Sequence, residues 1–214
     1  MKTWVRRAGL LAAAAAILSS SPAWAAKGVH LGTGIGLGFP MMSGDAISAI
    51  KPQTGEALEL LNLGYGFTDN FYAGLYWGAV AGMASENWDR NATWGTGYLG
   101  VLGKYSFNSK QTYSPYVELG VHNTVFNTTG DHHTFISDAA LGVLAGGGMD
   151  FFFGSRKRWL FSIDMSYRSG RHTSGTVDLD PGPTVDVNFN ATTDVVLLLF
   201  KIGYVWRPVE RPGF

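Results

Sequence analysis

The sequence predicts an all-β fold: a single eight-stranded antiparallel transmembrane β-barrel, with short periplasmic turns and long extracellular loops. Three observations carry that reading. Apolar residues recur at every second position in eight separate segments, the period of a strand with two unlike faces. The connections between the segments alternate short and long, as they do in membrane barrels. Aromatic residues gather beside the short connections, where a membrane interface would lie.

The composition narrows the field. The chain has 214 residues, 29 glycines and no cysteine, with 13 Phe, 9 Tyr and 7 Trp and only 15% charged side chains. Without cysteine, disulfides, thiolate catalysis and Cys-based zinc sites are excluded. Sixteen basic residues against sixteen acidic ones leave no surplus for a phosphate backbone, so no nucleic-acid partner is expected.

The first 25 residues stand apart. Lys2, Arg6 and Arg7 precede an unbroken apolar run from Ala8 to Leu18, and Ala23-Trp24-Ala25 supplies a small-residue cleavage site. This is the pattern of a secretory signal peptide (1–25), removed before folding. A mature chain from Ala26 keeps 13 basic and 16 acidic residues, a net charge of −3. Its longest apolar stretch, Val195 to Phe200, falls far short of the roughly 20 residues of a spanning helix. Residues 26–206 form the barrel, and 207–214 a periplasmic tail in which Pro208 and Pro212 prevent strand continuation.

The strands follow in order. Val29, Leu31, Thr33, Ile35, Leu37 and Phe39 alternate with His30 and four glycines. Leu61, Leu63, Tyr65 and Phe67 alternate with Asn62, Gly64 and Gly66, and Phe71, Ala73, Leu75 and Trp77 with Tyr72, Gly74, Tyr76 and Gly78. The fourth set is Leu99, Val101, Tyr105 and Phe107; the fifth is Val117, Leu119 and Val121. Leu141 to Phe151, Trp159 to Tyr167 and Val196 to Trp206 complete the eight. Short turns fall at 68–70, 108–112 and 154–158, and long loops at about 40–55, 80–93, 123–138 and 169–191.

Phe67, Phe71, Tyr105, Phe107, Trp159, Tyr204 and Trp206, with Tyr113 and Phe151, lie beside the short turns or at the final strand end. All have the apolar parity, which makes them an aromatic girdle on the lipid side. A soluble β-barrel would bury that parity. Here Lys104, Glu118, Asp164 and Lys201 share the opposite face with the glycines.

Three stretches carry a resemblance: Gly64-Tyr65-Gly66-Phe67-Thr68-Asp69-Asn70, Ser114 to Gly120, and Gly148-Met149-Asp150-Phe151 leading into Trp159. With the last strand, they resemble the small eight-stranded outer-membrane proteins of Gram-negative bacteria, of OmpW-like or OmpA-like type. The resemblance implies an outer-membrane location, contact with outer-membrane lipid and lipopolysaccharide, and delivery by the outer-membrane assembly machinery. That machinery would read the final strand at Lys201, Gly203, Tyr204 and Trp206, although Phe214 is a second candidate for the terminal aromatic. An OmpW-like chain also implies entry of small hydrophobic molecules.

Other motifs carry less. The run Gly32 to Gly38 alternates within a strand and opens no helix, so it is no nucleotide loop. Asp131-His132-His133 reads as a solvated loop, and neither metal nor cofactor is expected. His172-Thr173-Ser174 has a partial likeness to the His-x-Ser pair of lipid A deacylases, with Asp186 or Asp194 as the acid. Gly175 stands where that family usually has Asn, and the segment reads as an exposed loop. No enzyme activity is expected, and lipid A modification is the least favoured function.

The interior holds the candidate site. Lys104, Glu118, Asp164 and Lys201 come from four strands at similar distances from their turns. Buried charges must pair, so these four are expected to form a closed salt-bridge plug, with Asp150 and Arg168 at its margins. Toward the long loops the inward parity is apolar: Leu58, Leu60, Tyr76, Tyr98, Leu144, Val195 and Leu197, between glycines. That arrangement predicts an apolar cup for a small apolar ligand; the alternative is a structural or surface-interaction barrel with a filled interior.

Overall fold

The computed structural model describes residues 27–44, 50–86, 92–107, 112–154 and 158–206. The signal peptide and the tail, including Phe214, lie outside these residues. Eleven strands follow one another: β1 (Gly28–Pro40), β2 (Ser43–Gly44), β3 (Ile50–Pro52), β4 (Gly55–Gly66), β5 (Phe71–Glu86), β6 (Thr93–Ser106), β7 (Tyr113–Thr129), β8 (His133–Ser137), β9 (Ala140–Phe153), β10 (Trp159–Leu179) and β11 (Thr184–Trp206). The eight long ones, β1, β4, β5, β6, β7, β9, β10 and β11, pair antiparallel in chain order. β11 returns to β1 and closes the barrel.

Closure fixes the geometry. A row of paired residues starting at Leu31 passes Leu63, Leu75, Val101, Val121, Val143, Ser169 and Asp194. It comes back just past the end of β1 at Met41, whose N–H donates to Asp194 O at 2.7 Å, ten residues above its start. Eight strands with that stagger tilt by roughly 40° and enclose a space that side chains can just fill.

The outer face is an apolar belt. Ile35, Leu75, Val101, Leu119, Val143, Ile163 and Ile202 are all exposed on it. From Phe67 and Trp206 up to Leu37, Trp77 and Tyr167 the belt stands roughly 25 Å tall, the height of a lipid-facing band. At its lower rim the rings touch in sequence. Tyr65 meets Phe67 with centroids 5.3 Å apart, Tyr105 meets Phe107 at 5.3 Å, Trp159 meets Tyr204 at 5.1 Å, and Tyr204 meets Trp206 at 4.8 Å.

Two features depart from the pattern read in the sequence. First, much of the expected loop chain is strand: β7 runs on to Thr129, β10 to Leu179, and β11 begins at Thr184. His172 and Ser174 therefore sit within β10, not in a loop. Beyond the belt these strands lose the apolar outer face that marked them below, so alternation of the familiar sense stops although pairing continues.

Second, β4 changes phase. Its pairing with β5 shifts between Glu59 and Leu61, and β1 shifts opposite it between Gly32 and Gly34. The extra residue of a β-bulge swaps the faces beyond it. Leu58 and Leu60, expected in the lumen, are 41% and 46% exposed on the outside, while Glu59 between them is 1% exposed and points inward.

Candidate functional site

The lumen's lower half is ionic. Lys104 from β6 meets Asp150 from β9 at 2.6 Å, and Ser162 donates to the same carboxylate at 2.7 Å. Glu59 lies between Arg168 of β10 at 3.2 Å and Lys201 of β11 at 3.3 Å. Lys201 also reaches Asp164 at 3.5 Å, and Tyr116 donates to Asp164 at 2.7 Å. A relay of Tyr72 donating to Asn62 (2.6 Å) and Asn62 donating to Glu59 (3.0 Å) fixes the remaining Glu59 oxygen. Each of these buried ions has an opposite charge within reach, while Asp164 Oδ1 and Arg168 Nε make no hydrogen bond.

The membership differs from the expected plug. Lys104, Lys201 and Asp164 are in ion pairs, but Glu118 is in none among the described residues; its Oε1 has no hydrogen-bond partner. Glu118 is opposite Lys104 in the β6–β7 register, yet the Lys104 ammonium turns to Asp150 and lies 3.6 Å from the Tyr116 ring centroid. Glu59 takes the place expected of Glu118. Its signal in the sequence was the doublet Leu60-Leu61, which interrupts strict alternation and marks the bulge.

The upper half is filled. Tyr76, Tyr98, Leu144, Val195 and Leu197 do face inward, but each is only 0–2% exposed. The Arg168 guanidinium stacks between Tyr76 and Tyr98, 4.8 and 5.0 Å from their ring centroids. Tyr76 and His122 Nδ1 share a hydrogen bond at 2.7 Å. Above them Val80, Trp94, Phe126 and Phe135 continue one packed cluster, and Trp94 Nε1 donates to Gln53 O at 3.0 Å. The glycines make no cup: a Cβ on Gly38 would collide with Val80 Cγ2, and one on Gly142 with His122 Nε2. They are what allows large side chains to close against the wall. Where an open apolar cup was expected, the described residues pack as a buried core, and Leu58 and Leu60 are not part of it.

An internal cavity of about 60 Å³ lies lower, on the short-turn side, beneath the ion pairs. Its walls include His30, Tyr72, Lys104, Tyr116, Glu118 and Asp150, and Gly66, Thr68 and Asn70 belong to its lower rim.

The deacylase-like residues do not assemble a triad. His172 is buried, with Nδ1 2.9 Å from Ser137 Oγ and Nε2 3.1 Å from Thr193 Oγ1. Ser174 instead donates to Asp138 Oδ2 at 2.5 Å.

No protein-family model matches the sequence, and no curated protein does. Solved structures do match. The outer membrane protein OprG from Pseudomonas aeruginosa superposes with a TM-score of 0.59 at 16% identity, over 85% of this chain and 98% of that one. A major outer membrane protein from Thermus thermophilus gives 0.57 at 13% identity, over 83% and 99%. Neisserial surface protein A gives 0.55 at 10%, over 84% and 98%. This is the fold of a small outer-membrane β-barrel. At such identities the likeness speaks for the fold, and the lumen chemistry above is this chain's own.

Proposed function

We propose that this protein is a non-catalytic outer-membrane barrel with a lumen closed to passage, acting as a structural or surface-interaction protein at the cell exterior. One observation carries the reading: a fully buried core of Trp94, Phe126, Leu144, Val195 and Leu197 continues above a paired ionic layer. Passage would have to open both, while interactions outside need neither to move. The strands β7, β8, β10 and β11 meanwhile project past the apolar belt as a paired sheet, offering a hydrogen-bonded strand surface to the exterior. Export by the signal peptide, insertion through the last strand, and contact with outer-membrane lipid and lipopolysaccharide belong to the same proposal. Binding of a small apolar ligand would require a lateral or induced opening.

The test is permeability. In liposomes, the protein should leave sugar-driven swelling and the uptake of a ten-carbon alkane at the level of protein-free vesicles. Uptake above that level would overturn the closed-lumen reading. Replacing 171–190 by a tight turn should leave that result unchanged while removing whatever cell-surface phenotype the full chain confers.

A further inference from the structure

We propose that the lower cavity is a binding site for a small monovalent cation of the alkali-metal or ammonium class, entering from the short-turn end and held by Glu118. The argument begins with a charge count. The interior brings together four carboxylates, Glu59, Glu118, Asp150 and Asp164, and three cations, Lys104, Arg168 and Lys201. Every cation already has a carboxylate partner within 3.5 Å. Glu118 is left over. It is 3% exposed, its Oε1 has no hydrogen-bond partner, and it borders the cavity.

A buried carboxylate outside any ion pair carries a heavy desolvation cost; Lys104 and Lys201, which share the cavity wall, act on it only from a distance, because their short contacts go to Asp150, Glu59 and Asp164. The rest of the wall explains what could. Tyr72 and Tyr116 present aromatic surface to the same space, and the Tyr116 ring already accepts the Lys104 ammonium. A carboxylate beside aromatic faces suits a weakly hydrated monovalent ion. A divalent metal would want several hard oxygen ligands, and among the described residues no group of three or more metal-ligating side chains is placed to supply them. The volume, about 60 Å³, admits such an ion together with a few waters.

The experiment measures thermal unfolding of the full barrel in detergent micelles. Potassium, sodium and ammonium chlorides are compared with N-methylglucamine chloride at equal ionic strength. A small cation at about ten times its half-saturating concentration should raise the midpoint by roughly 3–5 °C over the bulky one. Glu118→Gln should abolish the difference, and Glu56→Gln, an exposed carboxylate outside the cavity, should keep it. A wild-type midpoint equal in all four salts overturns the proposal, and so does an undiminished response in Glu118→Gln. Should Glu118→Gln fail to fold, anomalous scattering from rubidium-soaked crystals of the wild type decides. A peak beside Glu118 supports the site, and its absence overturns it.

Discussion

Strand β10 passes through two environments and inverts its sidedness between them. Low on the strand the outward residues are Phe161, Ile163, Met165 and Tyr167, and the inward ones Ser162, Asp164, Ser166 and Arg168. Higher up, Arg171 and Thr173 face out while buried His172 faces in, and Val177 packs against the interior cluster. β7 does the same, from outward Val117 and Leu119 over inward Glu118 to outward Asn127 over inward Phe126 and Thr128. The lower region solves the problem of lipid outside and ions inside; the upper region is built as a water-soluble sheet. The β10–β11 pairing serves both, with one register shift between His172 and Ser174 that turns Val177 inward; strand pairing itself is indifferent to which face is apolar.

The contrast predicts different failures in the two regions. The largest belongs to the ionic layer. Glu59→Ala leaves Arg168 and Lys201 competing for Asp164, and removal of one partner from a buried pair costs about 3–5 kcal/mol. Urea unfolding in lipid vesicles should show that loss, and a second change, Lys201→Met, should recover part of it. Additive single effects would mean that Glu59, Arg168 and Lys201 do not act as a unit.

The projecting region should fail through its core. Phe126→Ala removes a buried ring from a packed cluster, which costs about 3–5 kcal/mol. Leu119→Ala, in the lipid-facing belt, opens space that lipid can fill, and should cost well under half as much in the same assay. Equal losses at the two sites would mean that the belt is packed against protein instead of lipid.

How much of this was legible follows from the same inversion. The belt was readable because Leu99, Val101, Ile163 and Leu198 alternate with glycine and polar residues over long runs. The girdle positions, from Phe67 to Trp206, share that parity. The projecting strands were not readable: Asn127, Thr173, Asn188 and Asn190 are polar residues within strands, and two of them, Thr173 and Asn190, sit at the register shift of the β10–β11 pairing. Their polarity resembles that of a loop. In the lumen, Lys104, Asp164, Lys201, Tyr76 and Leu144 lie on the inward parity, but pairing within the ionic layer is set by side-chain reach between strands, which spacing does not encode. Glu59 was missed because a single bulged residue swaps Leu58 and Glu59 between faces, and the Leu60-Leu61 doublet is the whole of its trace in the sequence.

A charge on the outer face distinguishes the regions at an intermediate scale. Ile163→Arg near the middle of the belt should cost on the order of 2–4 kcal/mol. Thr173→Arg, ten residues further along the same face of β10, should stay within about 0.5 kcal/mol. Urea midpoints in vesicles measure both. A similar penalty at residue 173 would extend the lipid band to that height and remove the distinction between the regions.

The smallest energetic effect gives the sharpest position. The chain has no cysteine, so single-cysteine variants can be labelled without ambiguity. Leu58→Cys replaces an exposed side chain and should change stability by about 1 kcal/mol or less. With the bulge in place, a fluorophore at residue 58 lies in the upper belt and should be quenched by lipids brominated on their acyl chains. Ala57→Cys lies on the buried inner face and should react slowly and escape quenching. Had strict alternation continued through Leu60, the two results would be exchanged, because a one-residue slip moves every side chain beyond it to the opposite face. Quenching at 57 with protection at 58 would remove Glu59 from the lumen, and with it the partner that holds Arg168 and Lys201.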